Sequence, residues 1–291
     1  TNYLRKGGRV RTVKLRGVYS ECLIIPITHI PFMENYYEGK DMMYTMNIYK
    51  YEPPVKTVQL ASGRKIRYQD NPNFHVYYKF PNLKNVPGMF NEDDLVEITR
   101  KIHGTNARYG IVKKNKLSLW DKVKKFLLLA DKWIDYEFVV GSHNVEKGSD
   151  SQGFYDTDVW RTIAEKYQIR EKLWKLVKEE YTPEELGAGV VMYGEIYGAG
   201  IQKNYDYGLK EIEYAGFDMT INGKYSPCST SFMYHHMLGL EYVPVLAVDT
   251  WTPELQNRFL FDHIEGTKVP HEGVVIKVTD GNRHKVAKVI N

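Results

Sequence analysis

The sequence predicts an α+β fold. Two observations carry this. Strand-like and helical runs are mixed without strict strand–helix–strand alternation, and the stretch Pro31–Phe90 is rich in Tyr and Pro with no helical period. A length of 291 residues suits one large domain or two smaller ones.

From the N-terminus, Thr1–Arg16 carries Arg5, Lys6, Arg9, Arg11, Lys14 and Arg16 and no acid. Val13 and Leu15 alternate with these cations as on a half-buried strand. Gly17 reads as a turn and Val18–Ile25 as a second strand. The basic face is either solvated or set against a phosphate backbone. Pro53, Pro54, Pro72, Pro81 and Pro87 punctuate a small β domain that ends near Pro81–Phe90. A new pattern begins at Leu95. Strands are expected at Leu95–Ile102, Ile134–Val140, Val190–Tyr197, Ile212–Ile221, Val243–Val248, Gly273–Val278 and Lys285–Ile290. Trp160, Ile163, Ala164, Tyr167, Leu173, Leu176 and Val177 have helical spacing, which predicts one helix over Asp158–Tyr181. A second helix is expected over Thr230–Leu238, capped by Ser229 or Thr230, and a third over Trp120–Ala130.

Composition excludes several classes. With 43% hydrophobic and 26% charged residues the chain is neither disordered nor collagenous nor a coiled coil. No apolar run approaches a membrane span, so no membrane partner is expected. Two cysteines, Cys22 and Cys228, exclude a disulfide scaffold and a zinc ribbon. A reducing, cytoplasmic location is expected (the host cytoplasm if the gene is viral), and the chain reads as a monomer. Net charge of +4 permits a nucleic-acid partner without proving one.

The chemistry-bearing residues come in a fixed order. Lys101-Ile-His-Gly-Thr-Asn106 comes closely after the strand residues Leu95–Ile98. A lysine at a strand end beside a glycine turn suits a nucleophile, because glycine lets a phosphate approach the backbone and the amine can attack it. Tyr193-Gly-Glu195 sets a carboxylate at a strand end, and Tyr214-Ala-Gly-Phe-Asp218 sets a ring on a strand. His271-Glu-Gly-Val-Val-Ile-Lys277 spaces Glu272 and Lys277 five apart, which faces them oppositely unless Gly273 starts a bend. Lys285 and Lys288 lie in the last strand. Taken singly, each of these is more often a solvated charge or a core ring. Other motifs fail. Gly194, Gly198 and Gly200 lack dinucleotide-fold spacing. His235 and His236 are helix neighbours that point apart, and Asp150, Asp156 and Asp158 read as a surface turn and a helix cap.

As an ordered set, these segments resemble the covalent nucleotidyltransferases, the ATP-dependent ligases and RNA capping enzymes. His103 in the nucleophile motif and the stretch Gly194–Gly208 resemble the RNA ligase 2 branch in particular. The resemblance covers about 86–291. It implies a nucleotidyltransferase domain of antiparallel sheets with helices over 81–291. A small OB-like β-barrel over 1–80, its first strand missing, would precede it, as in RNA ligases of the Deinococcus and Naegleria type. The implied activity is ATP-dependent RNA ligation through a lysyl-AMP, with Mg2+ or Mn2+, acting on nicked duplex RNA or free ends, RNA–DNA hybrids included.

The resemblance also implies roles. Lys101 would carry AMP, Glu195 would hold the ribose hydroxyls, and Phe217 would stack on adenine. Glu272 would bind the metal, directly or through water. Lys277 and Lys288, with Lys285 as the weaker second lysine, would contact phosphates. His103, Gly104 and Asn106 would shape the nucleophile pocket. His143 stands where the family usually has Arg, and with Arg9, Arg11, Lys14 and Arg16 would meet nucleic acid. The catalytic set is then Lys101, Glu272, Lys277 and Lys288. An ammonium cannot attack phosphorus, so Glu272 is expected at a metal and not as the ion-pair partner of Lys101. DNA ligation, mRNA capping and a catalytically dead nucleic-acid-binding homologue are the competing readings. Capping enzymes commonly have Asp in place of His103.

Overall fold

A computed structural model describes residues 13–15, 18–20, 26, 37, 56–59, 65–68, 70–127, 129–143, 146–149, 153–154, 158–203, 205–267 and 269–291. The chain divides into two units, Thr1–Gln69 and Asp70–Asn291. In the first, β1 (Val13–Leu15) and β2 (Val18–Ser20) pair antiparallel with Leu15 opposite Val18. A second antiparallel pair joins β3 (Lys56–Gln59) and β4 (Lys65–Tyr68). Lys14 lies on β1, whereas Arg9, Arg11 and Arg16, and most of the expected OB-like barrel, lie outside the described residues.

The second unit begins earlier than the proline pattern suggests. Residues 70–80 belong to it, and Phe74 and Tyr77 are buried there against Val112, Val139, Val191 and Tyr193. This strap is anchored by Arg108, whose Nη1 donates to the Phe74 carbonyl at 2.7 Å.

Among the described residues two antiparallel sheets build this unit, and the class is α+β as expected. The smaller sheet has the order β13–β5–β14–β15, from β5 (Leu95–Lys101), β13 (Val245–Thr250), β14 (Gly273–Val278) and β15 (Val286–Ile290). Val96, Ile98, Val274, Ile276, Val278 and Ala287 turn one face of it into a core with Leu83, Phe90, Trp251 and Leu255. The larger sheet contains β6 (Thr105–Lys113), β7 (Tyr136–Ser142), β8 (Glu146–Ser149), β9 (Gly153–Phe154), β10 (Gly189–Gly198), β11 (Ile212–Ile221) and β12 (Lys224–Tyr225). Its order is β12–β11–β10–β6–β7–β8–β9. The sequence reading had no strand at 105–113, yet β6 is central. Ala107–Val112 are all buried, covered by the strap on one face and helices on the other, so no in-out alternation marks this strand.

The helices are α1 (Leu119–Phe126), α2 (Val159–Lys166), α3 (Ile169–Glu180), α4 (Pro183–Leu186) and α5 (Cys228–Met237). The single helix expected over Asp158–Tyr181 is two, because Gln168 takes a left-handed conformation (φ 52°) between α2 and α3. Asp158 is the cap expected of it, accepting from the Arg161 N–H at 3.0 Å. Ile163, Ile169, Leu173, Leu176 and Val177 pack the larger sheet through Tyr109, Ile111, Phe138, Val190 and Met192. α5 starts at Cys228 after Pro227, so Ser229 and Thr230 are inside it and cap nothing. His235 is fully buried and His236 is exposed, pointing apart as their adjacency requires.

Candidate active site

A cavity of about 390 Å³ is lined from both sheets of the second unit. The smaller sheet contributes Thr99, Lys101, Val275, Lys277 and Lys288. Strand alternation explains the choice: on β14 Val274 and Ile276 enter the core, so Val275 and Lys277 face the cavity. The larger sheet adds Asn106, Glu195 and Phe217, with His143 just past β7 and Tyr77–Phe80 from the strap.

Lys101 ends β5 and enters a tight turn to β6. Gly104 is required there, since a Cβ would stand 2.2 Å from the Ile196 carbonyl oxygen. The loop after β10 clamps this turn. The His103 N–H donates to the Tyr207 hydroxyl at 2.7 Å, and Gln202 Nε2 donates to the Gly104 carbonyl at 2.7 Å. The Tyr205 ring stands edge-on to His103 at 4.6 Å.

Lys101 Nζ lies 2.7 Å from Glu272 Oε1, and Glu272 Oε2 lies 3.1 Å from His103 Nδ1. This corrects the expectation that Glu272 stays apart from Lys101. The register sets Gly273 opposite Lys101 at the sheet end. Gly273 has φ 143°, and a Cβ there would meet the Val289 carbonyl at 2.0 Å. The bend that Glu272 and Lys277 needed to share a site is therefore present at Gly273. It brings Glu272 back onto the lysine while Lys277 points into the cavity.

Glu195, near the end of β10, is pushed up to about 8 by desolvation, with the Glu272 charge adding to this and Lys101 opposing it. A carboxyl at this position holds its proton at neutral pH. Asn106 Oδ1 is buried with no hydrogen-bond partner, so an acceptor stands ready in the cavity wall.

Phe217 reaches the cavity through a β-bulge. Tyr193 pairs with Asp218 and Gly194 with Gly216, leaving Phe217 without an opposite residue. The bulge also frees its carbonyl, which accepts from Lys277 Nζ at 2.6 Å and from the Tyr242 hydroxyl at 2.8 Å. Lys277 is 1% exposed and lies 3.1 Å from Glu97. Burial would lower its affinity for a proton, but Tyr242, Asp218, Cys228 and Glu97 together outweigh that and hold it well above the usual lysine range. Lys277 is thus a fixed cation in the cavity.

The two late lysines part company. Lys288 lines the cavity, whereas Lys285 does not. Lys285 Nζ donates to both Asp94 oxygens, at 2.6 and 2.7 Å, and ties the end of the smaller sheet together. Asp218, next to Phe217, is structural. It is fully buried, takes Arg283 Nε at 2.6 Å and Nη2 at 2.8 Å, and accepts from the Tyr77 hydroxyl at 2.9 Å.

Sequence reasoning missed Tyr77, Lys79 and Phe80, which sit in the cavity wall but read as the exit of a β domain. It also assigned no role to Gln202, Tyr205 or Tyr207, although the Gly194–Gly208 stretch that holds them already stood out as a signal. Arg283 carried no signal at all.

The family model described as RNA ligase matches residues 94–290, which include every cavity residue except the strap. No curated protein matches the chain. Among solved structures, Naegleria gruberi RNA ligase is similar. Its form with PPi superposes at TM-score 0.56 and 21% identity, over 98% of this chain and 74% of that one. A lysine-to-methionine mutant with AMP and Mn gives 0.55 and 20%, over 97% and 74%. A glutamate-to-alanine mutant with ATP and Mn gives 0.56 and 20%, over 97% and 75%. At this identity the likeness establishes the fold.

Proposed function

The chain belongs to the RNA ligase family, and we propose that it seals 3′-hydroxyl and 5′-phosphate RNA ends with ATP, through an AMP carried on Lys101. The observation that carries this reading is one cavity that gathers Lys101, Glu195, Phe217, Lys277 and Lys288 from two sheets. That set suits a nucleotide: a ring to stack on, a carboxyl and a free amide oxygen for hydroxyl groups, and cations for phosphates. The Naegleria structures with ATP or AMP and Mn support ATP and a divalent metal as its companions.

In the first step Lys101 Nζ attacks the α-phosphorus, the N–P bond forms, and pyrophosphate leaves. The proton on Nζ has Glu272 Oε1 at 2.7 Å as its acceptor. Lys277 and Lys288 hold negative charge in place, so the reaction depends on positioning and charge neutralisation. In the second step AMP passes to the RNA 5′-phosphate, and in the third the 3′-hydroxyl displaces AMP. Glu272 is the carboxylate here that would suit a hard cation, which takes one or two carboxylates together with substrate phosphates. Bound there, such an ion neutralises phosphate charge. The basic N-terminal stretch, Arg9, Arg11, Lys14 and Arg16, supports an RNA-backbone contact, and His143 at the cavity wall supports one to the RNA end.

The test is incubation with ATP or GTP labelled at the α-phosphate, followed by a denaturing gel. Label from ATP, lost in both Lys101→Ala and Lys101→Arg, is expected, because arginine keeps the charge without a usable nucleophile. Label that survives Lys101→Ala overturns the assignment, and label from GTP alone moves it to capping. Sealing of nicked duplexes with RNA or DNA in each strand then fixes the polynucleotide.

A further inference from the structure

The segment from Arg258 to His271 leads from the small-sheet core to Glu272. Phe259 and Leu260 pack against that core. The next residue does the opposite: Phe261 is 74% exposed and holds a left-handed backbone, φ 64°, which a bulky side chain seldom adopts. Lone exposed rings are common, but this one is fixed from several sides. Arg100 Nη1 donates to the Phe259 carbonyl at 3.0 Å, and Nη2 pairs with Asp262 at 2.9 Å. The Phe261 N–H donates to Asn291 Oδ1 at 3.2 Å. Asn291 also bridges to the Lys101 side, with Nδ2 on the His271 carbonyl at 2.7 Å and its N–H on the Glu272 carbonyl at 3.1 Å.

A strained aromatic held in solvent by its neighbours is an arrangement found at functional sites. It cannot serve ATP in the cavity, which Phe261 does not line and where Phe217 already supplies a ring. A short run of hydrogen bonds through Asn291 links it to Glu272, which holds the nucleophile. On the ligase reading an RNA end comes to Lys101 to take AMP, and this segment leads straight into Glu272 beside that lysine. Asp262 is neutralised by Arg100, and Arg258 lies beside Phe259, with its guanidinium 5.3 Å from that ring, so a backbone phosphate meets positive as well as negative charge here.

Resting on the ligase reading, we propose that Phe261 is a stacking platform for a nucleobase of the RNA end that flanks the reacting phosphate. Every base offers a π-face, so such a contact grips an end of any sequence.

The experiment uses the full chain, adenylated in advance, on a nicked RNA duplex at limiting concentration. Sealing rates are normalised to the lysyl-adenylate formed. Phe261→Ala is expected to slow normalised sealing about tenfold, the scale of one lost base stack. Phe261→Trp should restore it and Phe261→Leu should not. Abasic nucleotides placed one at a time on each side of the nick complete the test. At the stacked position wild type and Phe261→Ala should converge. Three results overturn the proposal: Phe261→Ala sealing like wild type, Phe261→Leu matching Phe261→Trp, or a Phe261→Ala defect that no abasic position reduces. A wild-type protein that forms no lysyl-adenylate would instead sink the ligase reading itself.

Discussion

Replacing Glu195 by glutamine should remove a measurable part of the pH dependence of folding. Desolvation and the Glu272 charge hold the native carboxyl at about 8, against 4.5 for an ordinary glutamate, with Lys101 pulling the other way. Between these values the native protein keeps a proton that the unfolded chain has released. Stability therefore falls as pH rises through that window. The full gap of about 3.5 corresponds to at most roughly 5 kcal/mol at 1.36 kcal/mol per unit. Raising the pH from 6 to 8 covers about half of it, or about 2 kcal/mol. For a domain the size of Asp70–Asn291 that is roughly 4–8 °C in Tm. The assay is thermal unfolding by circular dichroism at pH 6 and pH 8, without nucleotide, for wild type and Glu195→Gln. Glutamine is a neutral isostere, so the variant should lose about that much less Tm over the same interval, while other titrating groups cancel in the comparison. Equal Tm changes in the two proteins would refute a neutral Glu195. The same reasoning expects Glu195→Gln to keep more adenylation at pH 7 than Glu195→Ala.

Three further outcomes follow from the geometry. Tyr207→Phe removes only the acceptor of the His103 N–H and should slow adenylation about tenfold with little change in ATP dependence, as measured in pre-steady-state lysyl-adenylate formation; an unchanged rate would make the clamp incidental. Lys288→Ala should slow the same step by roughly tenfold or more, while Lys285→Ala, outside the cavity, should stay within a few-fold; the reverse order would exchange their roles. Arg283→Met strands the buried Asp218 carboxylate and should cost about 3–5 kcal/mol in denaturant unfolding, a loss that a near-wild-type midpoint would contradict.

Part of the smaller sheet was legible because β5 and β14 set core residues at every second position, Val96 and Ile98 on one and Val274, Ile276 and Val278 on the other. Leu95–Ile102 and Gly273–Val278 were placed to within a residue. β6 was invisible for the opposite reason: buried on both faces and interrupted by Arg108 and Gly110, it has no period to read. The break at Gln168 was equally hidden, since α2 and α3 keep similar apolar spacing on either side of it.

Within the site, the sequence by itself determined which chemistry is present. Lys101, Glu195, Phe217, Glu272, Lys277 and Lys288 stand in an order that resembles the covalent nucleotidyltransferases, and such an order is a property of the chain alone. What they touch is not local. The bend at Gly273 and its register with Lys101 decide that Glu272 pairs with Lys101. The bulge in β11 aims Phe217 at the cavity, and the pairing of Asp94 with Lys285 takes that lysine away from it. Each contact joins residues distant in sequence through strand register, and register is set by how whole faces bury, so only the tertiary structure could decide them.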